Sequence, residues 1–376
     1  MKVLHIGIAS HFTDKMLYQD NILSDFNAKA GHDVTYISDC YLYRDGALTE
    51  TEECDCVLDN GVRLIRVRYD RVLNGFITRK IQKAKKIVEL LNEISPDTIL
   101  YHGVCGYELM DVAKYVKEKG IPFYIDSHES FQNTAMTPIS KFAYKYIHGF
   151  FVRKALPVAR KILYVGDAER EYLEEMYNIS DDMLEYYPLG GILLDEEKQK
   201  KYRKRFIQDM HFPENVIVCT HSGKMDKGKK TEEVIKAFSK VDDNRLRLLI
   251  YGRIPDEMKD TLYPLIEADE RISFLGWKNA SEQEEILGAT DIYIQPGTYS
   301  ATAQIALCDG CAVILNRGYM RAMEDAAFYE EDAEGIEKVI RTITEDDNKL
   351  LIAKQKCAEL AARRFDYKKM SDRYLK

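Results

Sequence analysis

Short apolar runs alternate with amphipathic stretches along the whole chain. In the first half these runs are MKVLHIGIA (1–9), DTILYHG (97–103) and IPFYIDSHES (121–130); in the second they are VIVCTHSG (216–223), LRLLIYG (246–252), ISFLGW (272–277), DIYIQPG (291–297) and CAVILN (311–316). Apolar runs of this length, separated by helical patterns, are what buried parallel strands wrapped by helices require. The pattern predicts an α/β chain with ligands beyond the carboxyl ends of its strands, where Lys224, Gly252, Gly276 and Pro296 fall.

A chain of 376 residues is too long for one compact core, so two domains are expected. The boundary is placed near Pro188–Leu194, in YYPLGGILL, where paired glycines permit a hinge. Hydrophobic content of 45% and charged content of 31% are those of a water-soluble globular chain, and a net charge of −8 argues against general nucleic-acid binding. MKVLHIGIASHFTD does not resemble a signal peptide, and no apolar stretch is long enough to span a bilayer, so a cytoplasmic location is expected. Cys54-x-Cys56 and Cys308-x2-Cys311 lack the second pair that a zinc site needs, and the eight cysteines fit a reducing compartment.

The stretch HSGKMDKGKKTEEVIKAF (221–238) carries most of the chemistry. Lys224 and Lys229 stand on a Gly-bearing turn between an apolar strand and an amphipathic helix, a place where amide groups, helix dipole and ammonium groups converge on phosphate. On spacing alone, a nucleotide diphosphate site and a solvated helix start both satisfy this pattern.

The order G-K-x4-K, Y-G-R, F-L-G-W, A-T-D-I-Y-I-Q-P-G and G-C-A-V-I resembles the donor half of glycosyltransferase family 4, through most of residues 216–316. The resemblance implies a GT-B fold, two Rossmann-like parallel-sheet domains facing a central cleft: an acceptor-side domain over 1–190, a donor domain over 191–355, and a helical segment over 356–376 returning to the first. It implies that Lys224 and Lys229 clamp the donor diphosphate, and that the Gly276–Trp277 turn, with Gly252, holds the nucleotide. For Trp277 a packing role at the sheet edge is the alternative.

One departure lies where the family carries Glu-x7-Glu. Here the chain reads PGTYSATAQIALCDGCAVI: Ser300 falls on the first glutamate and Ile305, beside Gln304, on the second. Ser300 or Thr302 is expected to cap the next helix, leaving the amides of Ala301 to Ala303 for a phosphate or sugar oxygen, and Gln304 to bond a ribose hydroxyl.

In the first half, the Gly-rich loop expected after strand one is replaced by HFTDKM, so His11, Thr13 or Asp14 either meets the donor or forms a surface loop. His128 matches by position the histidine that family members place near the reacting sugar, with Asp126 orienting the imidazole or capping a turn. Two basic stretches, FITRKIQKAKKIVELL (76–91) and KFAYKYIHGFFVRKAL (141–156), read either as solvated helices or as contacts with an anionic membrane surface.

The expectation is therefore a retaining transferase that moves a sugar from a nucleotide-diphosphate donor to a hydroxyl of a glycan or lipid-linked saccharide in cell-surface polysaccharide synthesis. It needs no cofactor and, with no Asp-x-Asp in the chain, no metal. The rivals are a catalytically silent partner subunit of the same fold and a nucleotide-sugar epimerase. A dinucleotide oxidoreductase is disfavoured because no G-x-G-x-x-G follows a strand.

Overall fold

In a computed structural model, residues 1–16, 18–44, 47–72 and 74–375 are described, without the side chain of Phe76. The chain divides into two units, Met1–Pro188 with Tyr367–Lys376, and Leu189–Asp366.

The first unit is built on one eight-stranded sheet. From edge to edge its strands are Leu184–Tyr186, Lys161–Tyr164, Phe123–Ser127, Thr98–His102, Lys2–Gly7, Asp33–Asp39, Arg63–Val67 and Cys54–Val57. All neighbours are parallel except the last pair. Strand residues Leu4, Ile6, Ile37, Ile99 and Ile125 meet helix residues Ile87, Leu91, Val112 and Val116 in one core.

The second unit has six parallel strands in the order Ile272–Phe274, Leu246–Arg253, Ile217–Lys224, Ile292–Gln295, Ala312–Leu315 and Phe328–Tyr329. The helix Thr231–Lys240 buries Val234, Ile235 and Phe238 against Cys219, Leu248, Ile250 and Ile294. Each such side chain removed from water is worth roughly 1.5–3 kcal/mol, which fixes the helix, and hence the loop before it, onto the sheet.

Strand order reverses between Lys2–Gly7 and Thr98–His102 in one sheet, and between Ile217–Lys224 and Ile292–Gln295 in the other. At such a reversal the crossovers leave to opposite faces and open a crevice at the carboxyl ends. Lys224 ends and Lys229 follows one strand of the second reversal, and Ser300 to Gln304 follow the other, whereas Gly276 and Trp277 follow the edge strand Ile272–Phe274.

Three expectations on elements change. The 76–91 stretch is two helices, Gly75–Ile81 and Lys86–Ile94, because Gln82 turns left-handed (φ 56°) and ends the first. The 141–156 stretch spans Pro138–Ala143, a widened turn over Tyr144–His148, and Gly149–Ala155. The return to the first unit begins at Tyr367 rather than at 356, since the helix Asp347–Leu360 buries Leu350 and Ala353 in the core of the second.

All eight cysteines are free thiols, and Cys308 and Cys311 are buried in the second unit. Among the described residues no helix is long and apolar enough to cross a membrane, and no group of three or more metal-ligating side chains occurs.

Candidate functional site

The strand Ile217–Lys224 feeds the turn Lys227–Lys229 and then the helix Thr231–Lys240. The turn folds back so that Thr298 N donates to Gly228 O at 2.9 Å, closing the loop after one reversal strand onto the loop after the other. That approach requires glycine: a Cβ on Gly297 would lie 2.1 Å from Gly228 O. Gly252 has a φ of +130°, and a Cβ there would lie 2.0 Å from Gly223 O.

Lys229 lies in this crevice. It is buried, its side chain runs along Gly223, and Nζ donates to Thr298 O at 3.3 Å. Among the described residues it forms no ion pair, and burial pulls its pKa below the ordinary lysine value, with Asp226 opposing. A buried ammonium with one carbonyl acceptor has hydrogen-bonding capacity to spare and a charge that Asp226 compensates only in part.

A polar network holds the acceptor in place. The Thr298 carbonyl also accepts from Gln295 Nε2 at 2.9 Å; Gln295 Oε1 accepts from the Tyr293 hydroxyl at 3.2 Å, which lies 2.9 Å from Ser222 Oγ. Beneath it, His221 Nδ1 donates to Ile294 O at 2.7 Å and Nε2 lies 3.0 Å from Thr231 Oγ1, bracing two strands and the helix start. Burial lowers the His221 pKa to about 4. The folded state therefore keeps this ring neutral while the unfolded chain protonates below about 6.5. His221 contributes a loss of stability as pH falls from 6.5 to 4, of about 1.4 kcal/mol per pH unit at most. Chemical denaturation of a His221→Gln protein across this range is expected to show a correspondingly shallower pH slope; an unchanged slope contradicts the assignment.

Lys224 and Lys229 do not share one environment. Lys224 is exposed at the strand end, in register with exposed Arg253. Arg253 was not singled out as a site residue from the sequence, although the Y-G-R motif contains it. Lys230 adopts a left-handed φ of 56°, which costs a non-glycine residue about 1–2 kcal/mol, and its ammonium pairs with Glu331 at 2.8 Å.

The Ser300 segment forms a self-satisfied turn. Ser300 N donates to the Tyr319 hydroxyl at 2.6 Å, Thr302 N to Ser300 Oγ at 3.3 Å and Ala303 N to Ser300 O at 3.1 Å. Two of the amides expected to be open, those of Thr302 and Ala303, are thus engaged, and the helix Thr302–Cys308 is short. Gln304 folds back on the same turn: in the amide orientation that satisfies it, its nitrogen donates to Ser300 O (3.0 Å) and Ala301 O (3.2 Å). Its reach for a ribose is therefore already spent locally. Tyr319 and Asn316, whose amide donates to Gly297 O, hold this loop and carried no signal in the sequence.

Gly276 adopts a φ of +70°, and its carbonyl accepts from Gly252 N at 2.8 Å. Trp277 is 76% exposed, so the packing alternative fails. An exposed indole beside these glycines leaves a ring face open to a ligand.

In the first unit, Asp126 does not orient His128. Its Oδ2 meets His102 Nδ1 at 2.5 Å, and Oδ1 accepts from Gly103 N at 3.2 Å. The Asp126 pKa lies below the usual carboxylate value because the His102 charge and hydrogen bond outweigh burial; that of His102 is raised by the same pair against desolvation. Behind them His5 lies 3.0 Å from His102 Nε2 and 3.0 Å from Asn27 Oδ1, with its pKa lowered to about 3 by burial. These groups form a buried brace at the strand reversal.

His128 itself is exposed just past the strand Phe123–Ser127, its carbonyl accepting from Asn133 Nδ2 at 2.8 Å. The residue after it was missed in the sequence: the Glu129 carboxylate accepts from Val104 N and Ser127 Oγ, each at 2.8 Å, and burial raises its pKa. His11 pairs with Asp39 at 2.7 Å and Thr13 Oγ1 accepts from Tyr43 N, so both belong to the architecture of the first loop, whereas Asp14 is exposed.

No family model matches the chain, and no curated protein matches it in sequence. Solved structures do match. A glycosyltransferase from Rickettsia africae is 16% identical with a TM-score of 0.67, over 100% of this chain and 96% of that one. HepE from Anabaena, in complex with UDP-glucose, is 15% identical with a TM-score of 0.60, over 100% and 98%. WaaG, a glycosyltransferase involved in lipopolysaccharide biosynthesis, is 14% identical with a TM-score of 0.58, over 99% of each chain. Likeness at such identity is likeness of fold: two Rossmann-like parallel-sheet units of the GT-B type.

Proposed function

We propose that the protein is a nucleotide-sugar-dependent glycosyltransferase of the GT-B fold. The observation that carries this reading is Lys229: a buried ammonium at a strand reversal, without an ion pair among the described residues and backed by glycines that let backbone come close, is a site waiting for an anion. The group that fits is the diphosphate of a nucleotide sugar, in keeping with the UDP-glucose complex of HepE.

Departure of the diphosphate is the demanding step. Lys229 supplies a preorganised charge in a desolvated setting, where it is worth more than in water, and exposed Lys224 and Arg253 add to it as the leaving charge develops. Trp277 and the Gly252–Gly276 turn take the nucleotide. His128 of the first unit contacts the sugar or the acceptor, a hydroxyl of a glycan or lipid-linked saccharide. The reading includes retention at the anomeric carbon, as in glycosyltransferase family 4, transfer of a hexose, and turnover without a divalent metal; a place in cell-surface polysaccharide synthesis is in keeping with WaaG, a glycosyltransferase involved in lipopolysaccharide biosynthesis.

Thermal-shift screening against UDP-, GDP- and ADP-sugars in the presence of EDTA tests this. One nucleotide class is expected to stabilise the protein by about 2.7 kcal/mol at a hundred times its dissociation constant. No shift with any of the three, or a shift that appears only after manganese replaces EDTA, contradicts the proposal. A second reading, a silent partner subunit, is favoured by the self-satisfied Ser300–Gln304 turn, which lacks the family's carboxylates. Donor binding without transfer or hydrolysis in the presence of cell extract distinguishes it.

A further inference from the structure

The segment between Ala135 and Leu156 is apolar on opposite faces. Tyr144, Phe151, Val152 and Ala155 turn inward onto the first core. Ile139 (84% exposed), Phe142 (63%), Tyr146 (56%) and Phe150 (48%) turn outward at spacings of three or four residues, which is one stripe of the helical run 138–155, and Met136 (71%) is exposed just before it. Exposed apolar side chains scattered singly need no explanation, but a continuous stripe does.

Its surroundings specify the partner. Residues 131–166 contain no Asp or Glu and six Lys or Arg, in a chain whose net charge is −8. Lys145, Arg153 and Lys154 are exposed beside the stripe, and Lys154 Nζ lies 5.6 Å from the centre of the Phe150 ring. An acidic protein with a basic, aromatic ridge free of acidic residues along its own segment is built to meet a surface that is negative outside and apolar within.

We propose that this ridge docks the first unit onto an anionic lipid bilayer, with Ile139 and Phe142 entering the acyl boundary and Lys145, Arg153 and Lys154 lying among the headgroup phosphates. Binding is interfacial and reversible, and each cation near the surface multiplies affinity about fivefold.

Co-sedimentation with phosphatidylglycerol vesicles at low salt tests it, and because no sugar nucleotide is present the result is separate from that of donor binding. The protein is expected to pellet with these vesicles, far less with phosphatidylcholine vesicles, and to be released by high salt. An Ile139→Asp/Phe142→Asp protein, altered only at exposed positions, is expected to keep its melting temperature and to bind at least tenfold more weakly. Absence of binding by the unaltered protein overturns the proposal, as does equal binding by the double variant. So does a concentration-dependent dimer that the double variant dissolves while vesicles capture neither form, since the ridge is then an interface between copies.

Discussion

Substitution of Lys229 by methionine is expected to reduce kcat/KM for the nucleotide-sugar donor by a hundred- to a thousandfold, a loss of about 2.7–4 kcal/mol of transition-state stabilisation. The same change is expected to leave the melting temperature unaltered or raise it. Both results have one cause. The ammonium is buried with, among the described residues, only the Thr298 carbonyl as acceptor, so the ligand-free fold bears the cost of a charge without an ion pair that an apolar side chain of similar length removes. Lys224 is exposed and solvated at the strand end, so a Lys224→Met protein is expected to lose no more than about tenfold, because a screened charge in water contributes little. Steady-state kinetics and thermal denaturation of the two variants side by side decide the matter. If Lys229→Met keeps full donor-dependent turnover, or if the two substitutions are equivalent, the crevice is not the diphosphate site.

A Gly252→Ala protein is expected to be destabilised by about 2–5 kcal/mol. Two terms add: about 1–2 kcal/mol for placing a Cβ on a residue with φ +130°, and about 1–3 kcal/mol for overpacking, since that Cβ would lie 2.0 Å from Gly223 O on the neighbouring strand. Relief requires the ends of Ile217–Lys224 and Leu246–Arg253 to part, which displaces Gly223 and the Lys229 side chain lying against it. Urea unfolding measures the first effect and donor titration of the protein that remains folded measures the second. A change below 1 kcal/mol would show that the strand ends tolerate separation and that the glycine pair is not what shapes the crevice.

The parallel sheet of the second unit is legible in the sequence because buried strands must be apolar throughout, and each run from VIVCTHSG to CAVILN becomes a strand or its immediate end. Lys229 is legible for a related reason: a cation just after such a strand has few places to go. Its inequality with Lys224 is not, since five positions of a turn decide burial by their path through space. Asp126 shows the limit most clearly. Asp-x-His reads as a pair along the chain, yet the carboxylate reaches across to His102 on the adjacent strand, a partner fixed by the register of Thr98–His102 against Phe123–Ser127. The Ser300–Gln304 turn has the sequence of an open helix start because Tyr319, which takes the Ser300 amide, arrives from beyond the next strand.

The brace of His5 and Asn27 reaches Tyr367–Leu375: Asn27 Nδ2 donates to Ser371 O at 3.0 Å, the Tyr374 hydroxyl to Asn27 Oδ1 at 2.7 Å, and the Tyr187 hydroxyl to Met370 O at 2.8 Å. Tyr374 is wholly buried in the first unit, although a ribosome makes it only after every residue of the second. During synthesis, then, the earlier half emerges with an unfilled seam and His5 lacking its full set of neighbours, while the later half meets no such delay. The order of translation and the order of maturation run opposite ways.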